Sequence, residues 1–371
     1  MAKKNQSNKI DNETIVNDTL ELLWENREIV ESIYAGYADE ILKKEKDYIE
    51  KAGKFQVRGA ISKYSSITLI KNGKYDLRFA GQSIGTVKVI KKRNGEYEPR
   101  LEIKQEQSER ALLFGYKGSE PFDSTLWDEK KCQNFRSFFS NLNSNDNLAI
   151  HTKEHRIENF ILDCFSEKST KNKLLPYIQP VLLGGQYFQF TTPLKASKHL
   201  PTISIGVKES RRTGEKSYYA TGGGIDILAR NIKSPGNWRY TIIELKDENK
   251  PTESQATVMT QALIYATFMA FLFRSKSGKD WWNIFRNPPK NEKNDKQKSV
   301  PEHIDLDVVT LMPSGDSSEG IMDDIETDKL FPKLHLNTTL HLYTLYYKTD
   351  AQGNPCAIDE KSTFHKSLFS K

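Results

Sequence analysis

The stretch "GGGIDILARNIKSPGNWRYTIIELKDEN", residues 222–249, sets one carboxylate at Asp226 and a second at Glu244, with Lys246 two residues on, inside two apolar runs. Ile225, Ile227 and Leu228 surround the aspartate, while Tyr240, Ile242, Ile243 and Leu245 bring the β-branched and aromatic enrichment of a strand. The proline and glycine of "SPGN" mark a turn, so the two runs are expected to pair as an antiparallel hairpin. Side chains alternate along a strand, which puts Glu244 and Lys246 on one face and Leu245 on the other. If Asp226 faces the same way, two carboxylates and an ammonium converge. Carboxylates brought together repel, and a shared proton or a bound cation relieves the repulsion; hard oxygen ligands on a sheet suit Mg²⁺ or Mn²⁺. A lone Glu-x-Lys on a strand is more commonly a solvated ion pair, so its surroundings decide its meaning.

Those surroundings include "ESQATVMTQALIYATFMAFLF", residues 253–273, where Val258, Ala262, Tyr265, Ala266, Met269 and Phe273 recur at helical spacing. Gln261 and Tyr265, four apart, lie on one face of that helix. Gly-Ile-Asp226, then Glu244-Leu-Lys246, then Gln261-x-x-x-Tyr265 resembles the PD-(D/E)xK nuclease superfamily, with the last element similar to that of RecB-type exonuclease domains. Gly224-Ile225 stands where the superfamily's name has proline. The resemblance runs from the helix near His151 to Phe273 and implies a restriction-endonuclease-like α/β fold, a mixed sheet flanked by helices. It also implies a further glutamate from a helix ahead of the hairpin. In "KEHRIENFILDCFSEK", residues 153–168, Ile157, Phe160, Ile161, Cys164 and Phe165 form one stripe, flanked by Glu154 and Glu158. Glu154, at the start of the helix, matches the family position; Glu158, expected further toward solvent, is the substitute.

Hydrolysis of a phosphodiester requires a nucleophilic water, neutralisation of charge on the phosphate and help for the leaving oxygen. A divalent ion held by Asp226, Glu244 and the carbonyl of Leu245 meets the first two needs, and Lys246 beside it stabilises developing negative charge. Gln261 offers hydrogen bonds near the site, and Tyr265 either holds that glutamine or belongs to the core. The resemblance implies a Mg²⁺- or Mn²⁺-dependent nuclease acting on DNA, with restriction or phage defence as the setting by analogy. A catalytically silent nuclease-fold module that grips nucleic acid or a protein partner is the competing reading.

The chain has 371 residues, enough for two domains. Its 37% hydrophobic content marks a folded chain, and a net charge of +6 is compatible with nucleic acid without requiring it. Three scattered cysteines, Cys132, Cys164 and Cys356, read as buried thiols of a reducing, cytoplasmic compartment. The first residues lack the apolar core of a signal peptide, and no run is read as a membrane span. "HTKEH", residues 151–155, has its glutamate in the wrong place for a zinc protease, and "TGGGID" lacks the Lys-Ser/Thr of a phosphate loop.

A domain boundary is expected in the polar run "SNLNSNDN", residues 140–147, giving an N-terminal α+β domain over 1–145 and the nuclease-like domain over 146–371. Within the first, residues 14–52 read as amphipathic helices suited to packing on a sheet or to homo-oligomerisation. "FQVRGA", "SITLI", "YDLRFA", "GTVKVI" and "EYEPRLEI" read as strands of an antiparallel meander, with Asn-Gly hairpins in "KNGK" (71–74) and "KRNGEY" (92–97). In the second, Lys195 and Lys198 ahead of the hairpin are candidates for phosphate contact. Trp281 and Trp282, before a Lys- and Asn-rich loop over 287–301, are candidates either for base stacking or for the core. "IDLDVVTLM" and "TTLHLYTLYYKTD" close the chain as strands extending the central sheet.

Overall fold

In the computed structural model the expected hairpin is present: β13 (Ile227–Asn231) and β14 (Arg239–Leu245) run antiparallel, Ile227 opposite Ile243 and Asn231 opposite Arg239. The residues described are 11–118, 120–142, 153–165, 174–196, 200–210, 212–234, 238–247, 253–286, 299–314 and 322–370. The expected "SPGN" turn, the polar boundary beyond residue 142, His151, Lys198 and most of the 287–301 loop lie outside them.

Around the hairpin a mixed sheet is built. β14 lies parallel to β15 (Ile304–Pro313), which lies parallel to β17 (Thr338–Thr349); β6 (Ile178–Pro180), β16 (Ile325–Glu326) and β18 (Pro355–Ile358) add antiparallel edges. Period-two alternation sorts its side chains into two cores. Tyr240, Ile242, Leu306 and Val308 face α7 (Gln255–Arg274), whereas Ile227, Ile243, Leu245, Val309 and Leu311 face α6 (Lys153–Cys164) and α10 (Thr363–Phe369). The result is a helix–sheet–helix sandwich in which the start of β13 and the end of β14 lie between α6 and α7. Parallel neighbours explain why β14 and β15 read as nearly continuous apolar runs.

Helix α7 starts at Ser254, whose hydroxyl accepts the Thr257 amide at 3.3 Å. By length and composition it is apolar enough to cross a membrane, contrary to the expectation that no segment is, yet 78% of its apolar window is buried within the protein. It is the central core helix, apolar nearly all round because protein covers most of it.

The first sheet is a meander of β1 (Ile61–Ser65), β2 (Lys74–Phe79), β3 (Gln82–Lys91), β4 (Tyr97–Ile103) and β5 (Phe122–Leu126), all antiparallel. The Asn-Gly hairpin at 92–97 joins β3 to β4 as expected, with Gly95 at φ +85°. "SITLI" is helical instead: α3 (Ile67–Asn72) begins where Ser66 caps the Leu69 amide and ends on Gly73 in the left-handed conformation. The cap serine and the terminal glycine outweigh the β-branched residues between them, and the Gly of "KNGK" closes a helix rather than a hairpin. "FQVRGA" is irregular, held by burial of Phe55 and by Lys63, whose ammonium bonds the carbonyls of Ala52 and Phe55.

Packing crosses the region of the expected boundary. β8 (Gln186–Phe188) joins the first sheet parallel to β1, bringing β7 (Leu182–Leu183) with it. Helices α1 (Asn12–Glu25) and α2 (Arg27–Ala52) pack on α7 and α8 (Gly278–Arg286). Tyr34 of α2 donates its hydroxyl to the Thr191 carbonyl at 2.7 Å and accepts the Trp281 indole N–H on its own carbonyl at 3.0 Å. One apolar core runs from Ile15 through Phe79 and Phe190 to Leu342. The smaller ribbons are β9 (Leu194–Ala196) with β10 (Pro201–Ile203), and β11 (Ile205–Glu209) with β12 (Lys216–Ala220). All three cysteines are unbridged; Cys132 and Cys164 are buried as expected, and Cys356 is exposed, because the edge strand β18 turns it outward.

Candidate active site

Glu244 and Lys246 follow Ile242 on the α7 side of β14, as alternation requires, while Leu245 between them is buried in the opposite core. Asp226 sits just before β13 rather than within it, and its Oδ2 accepts the Leu245 amide at 3.0 Å. That bond locks the aspartate against the end of β14. Lys246 is fixed in turn by its own amide on the Leu311 carbonyl and by its carbonyl, which accepts the Tyr347 hydroxyl.

Four carboxylates surround the one ammonium. Lys246 Nζ lies 3.7 Å from Glu154 Oε1, 3.7 Å from Glu244 Oε1 and 3.8 Å from Glu253 Oε2, and Asp226 adds to its field. Burial pulls the lysine down, but Glu244, Glu154, Asp226 and Glu253 together hold it above its ordinary range. Burial pushes Asp226 up to about 6, against the Leu245 amide and Lys246, which both favour its charged form. Glu244 is driven well above the usual carboxylate range by burial first and by Asp226 second. With one lysine for these acids, the site carries excess negative charge and holds protons that a cation would displace.

The hydrogen-bonding inventory points the same way. Oε2 of Glu244, Oε2 of Glu253 and Oε1 of Gln261 are buried oxygens with no hydrogen-bond partner. Orphaned buried acceptors are costly and rare, and those of Glu244 and Glu253, both beside Lys246, mark a place where an outside donor or cation belongs. Among the described residues no group of three or more His, Cys, Asp or Glu side chains is drawn together tightly enough to cage a metal ion. A cation here would therefore use the Asp226–Glu244 pair completed by neutral oxygens and water, the coordination Mg²⁺ prefers.

Helix α7 brings Gln261 to the site from one side, with its Nε2 reaching the Ala196 carbonyl at 3.5 Å. Tyr265, one turn on, is buried; burial, with the charges of Glu244 and Asp226, raises its hydroxyl above its ordinary range. A Cβ on Gly223 would lie 1.9 Å from the Tyr265 hydroxyl oxygen and one on Gly222 2.5 Å from the Leu194 carbonyl, so the chain leading to Asp226 can only be glycine there. The glycines of "GGGID" thus serve close backbone approach.

From the other side α6 presents both glutamates. Glu154 pairs with Lys246 and remains 44% exposed. Glu158 does not point toward solvent: at 13% exposure it is the more buried, accepts the Tyr64 hydroxyl at 3.2 Å, and lines the same groove as Asp226, Tyr187 and Gln189. The first sheet covers that flank of α6, which a helical wheel cannot register. Glu253, just before α7, and Tyr64, from the first sheet, are site neighbours absent from the motif; only the Glu253-Ser254 start of the helical pattern hinted at the former.

Of the residues proposed for nucleic-acid contact, Lys195 is exposed on β9 beside Ala196. Trp281 and Trp282 are buried in the core of α8, against Tyr34, Phe190 and Tyr240, and offer no ring to a base. No protein-family model, curated protein or solved structure matches this chain.

Proposed function

We propose that this protein is a divalent-metal-dependent nuclease of the restriction-endonuclease-like, PD-(D/E)xK kind, hydrolysing DNA phosphodiester bonds. The observation that carries the proposal is the buried pair Asp226 and Glu244 at the end of one hairpin, with Lys246 beside Glu244 and with the orphaned oxygens of Glu244 and Glu253 next to it. The helix–sheet–helix arrangement and the order of the motif along the chain support it. Asp226 and Glu244 would hold Mg²⁺ or Mn²⁺, with the Leu245 carbonyl as a neutral oxygen. When bound, such an ion supplies Lewis-acid activation of water and charge neutralisation at the phosphoryl group. Lys246, kept protonated by its carboxylate neighbours, stabilises charge developing on the phosphate. Glu154 holds the lysine in place, and Gln261 orients a water that donates to its free Oε1.

Incubation of the purified protein with plasmid, linear duplex and single-stranded DNA in Mg²⁺, Mn²⁺ or EDTA tests the proposal. Cleavage is expected with either metal and none in EDTA. Lys246→Ala should slow it by at least about a hundredfold, the scale of removing one preorganised stabiliser, while DNA binding survives. A wild-type protein that binds DNA and cuts none with any metal would leave a binding module in place of an enzyme.

A further inference from the structure

Among the described residues the ribbon β11–β12 is paired with no other strand, and beyond its base, where α2 meets β12, its residues are exposed. Its register sets Val207 opposite Tyr218 on one face and Gly206 opposite Tyr219 on the other. The Tyr219 ring lies flat over Gly206, where a Cβ would come within 2.4 Å of it. Val207, Tyr218 and Tyr219 are 52%, 45% and 43% exposed, an unusual amount of aromatic surface for a ribbon with no partner. Lys208 and Lys216 on the strands and Arg212 in the turn are exposed, and none of their three side chains has an ion-pair or hydrogen-bond partner among the described residues. Lys195, equally free, lies on the neighbouring strand β9. Of the two acidic residues present, Glu215 is occupied by the Thr213 hydroxyl.

The base of this ribbon is tied to the candidate site. The Ala220 amide donates to the Tyr37 hydroxyl at 2.9 Å, and the Thr221 amide to the Ser204 carbonyl. From Thr221 the chain passes through Gly222, set against Leu194, and Gly223, set against Tyr265, then Gly224, directly to Ile225 and Asp226. Each strand of five residues reaches about 17 Å outward from that anchor. Unpaired ammonium and guanidinium groups match a phosphate backbone, and exposed rings match the faces of unpaired bases, whatever their sequence.

We propose that β11–β12 is a docking arm for single-stranded nucleic acid, with Tyr218 and Tyr219 stacking on bases and Lys208, Arg212 and Lys216 pairing with phosphates. It guides the strand toward Asp226. This inference rests on the nuclease reading for the fate of the strand, but its binding step does not require cleavage.

The test is fluorescence anisotropy of a labelled oligothymidylate in EDTA with the full-length protein. Tyr218→Ser with Tyr219→Ser should weaken binding about tenfold or more, since each stacked base is worth a large fraction of that. Lys208→Ala, Arg212→Ala and Lys216→Ala together should weaken it similarly and flatten its salt dependence. Melting temperatures should stay close to the wild-type value, because these side chains are largely exposed. Unchanged binding by both variants overturns the proposal. So does a wild-type dimer in sedimentation that the tyrosine variant alone dissolves, with oligonucleotide affinity unaltered, since the arm would then join two copies of the chain. Ribbon-dependent binding without cleavage in any metal sustains the arm and removes the nuclease; metal-dependent cleavage with ribbon-independent binding does the reverse.

Discussion

Asp226 costs the metal-free protein stability at neutral pH. Its folded pKa of about 6 lies above the ordinary carboxylate value because of burial. Below about pH 4 the folded and unfolded chains both carry the proton, and no penalty exists. As pH rises through 4 to 6 the unfolded chain ionises while the folded one retains its proton, so stability falls, and it stays reduced above 6. Asp226→Asn keeps an oxygen for the Leu245 amide and removes the titration. In EDTA at pH 7.5 the variant should exceed wild type by about 1–3 kcal/mol, read as a melting temperature several degrees higher, with the gap closing at pH 4. Mn²⁺ should raise the wild-type melting temperature and leave the variant's unmoved. Coincident melting curves at pH 7.5 would mean that Asp226 is not a strained carboxylate.

At the scale of elements, the segment from β12 to β13 is positioned by what it lacks. Gly223 faces the Tyr265 hydroxyl across 1.9 Å from a would-be Cβ, whereas nothing comes closer than 3.8 Å to the same position on Gly224. Gly223→Ala must push α7 and the Asp226 segment apart, at a cost of about 1–3 kcal/mol for overpacking. Gly224→Ala should stay within about 0.5 kcal/mol of wild type. Urea titration gives both numbers, and cleavage rates should follow, with Gly223→Ala severely impaired. Equal behaviour of the two variants would show that the approach of Gly223 to Tyr265 is not what sets the loop.

For the whole molecule, the interlocking of the two sheets predicts one cooperative unit. β8 completes the first sheet, α1 and α2 cover α7 and α8, and the Tyr34–Phe190–Phe268–Trp281 cluster joins residues from both halves with ring centroids 4.9 to 5.9 Å apart where Tyr34 meets the others. Removing residues 1–145 would expose one face of α7 and leave β8 without β1, keeping only the two-residue β7 beside it. Denaturant unfolding of the full chain should therefore be a single transition by tryptophan fluorescence and far-ultraviolet dichroism alike, and a fragment beginning at 146 should not fold. Two separated transitions would show independent domains.

What was legible in the sequence is what depends on neighbours along the chain. Alternation put Glu244 and Lys246 on one face of β14, three-and-four spacing made 253–273 a helix bearing Gln261 and Tyr265, and Asn-Gly at 94–95 turned β3 into β4. Such patterns repeat locally because backbone geometry has fixed periods. They failed at Ser66–Gly73, where caps outweighed strand-forming residues. Only the tertiary structure decided that Asp226 is held by the Leu245 amide, that Glu158 is the more buried of the two helix glutamates, that Glu253 joins the ring around Lys246, and that Trp281 and Trp282 are core. Each of these depends on how one element is laid against another distant in sequence. The energy of that contact comes from buried area and from the mutual repulsion of charges, neither of which has a period that a single chain segment can display.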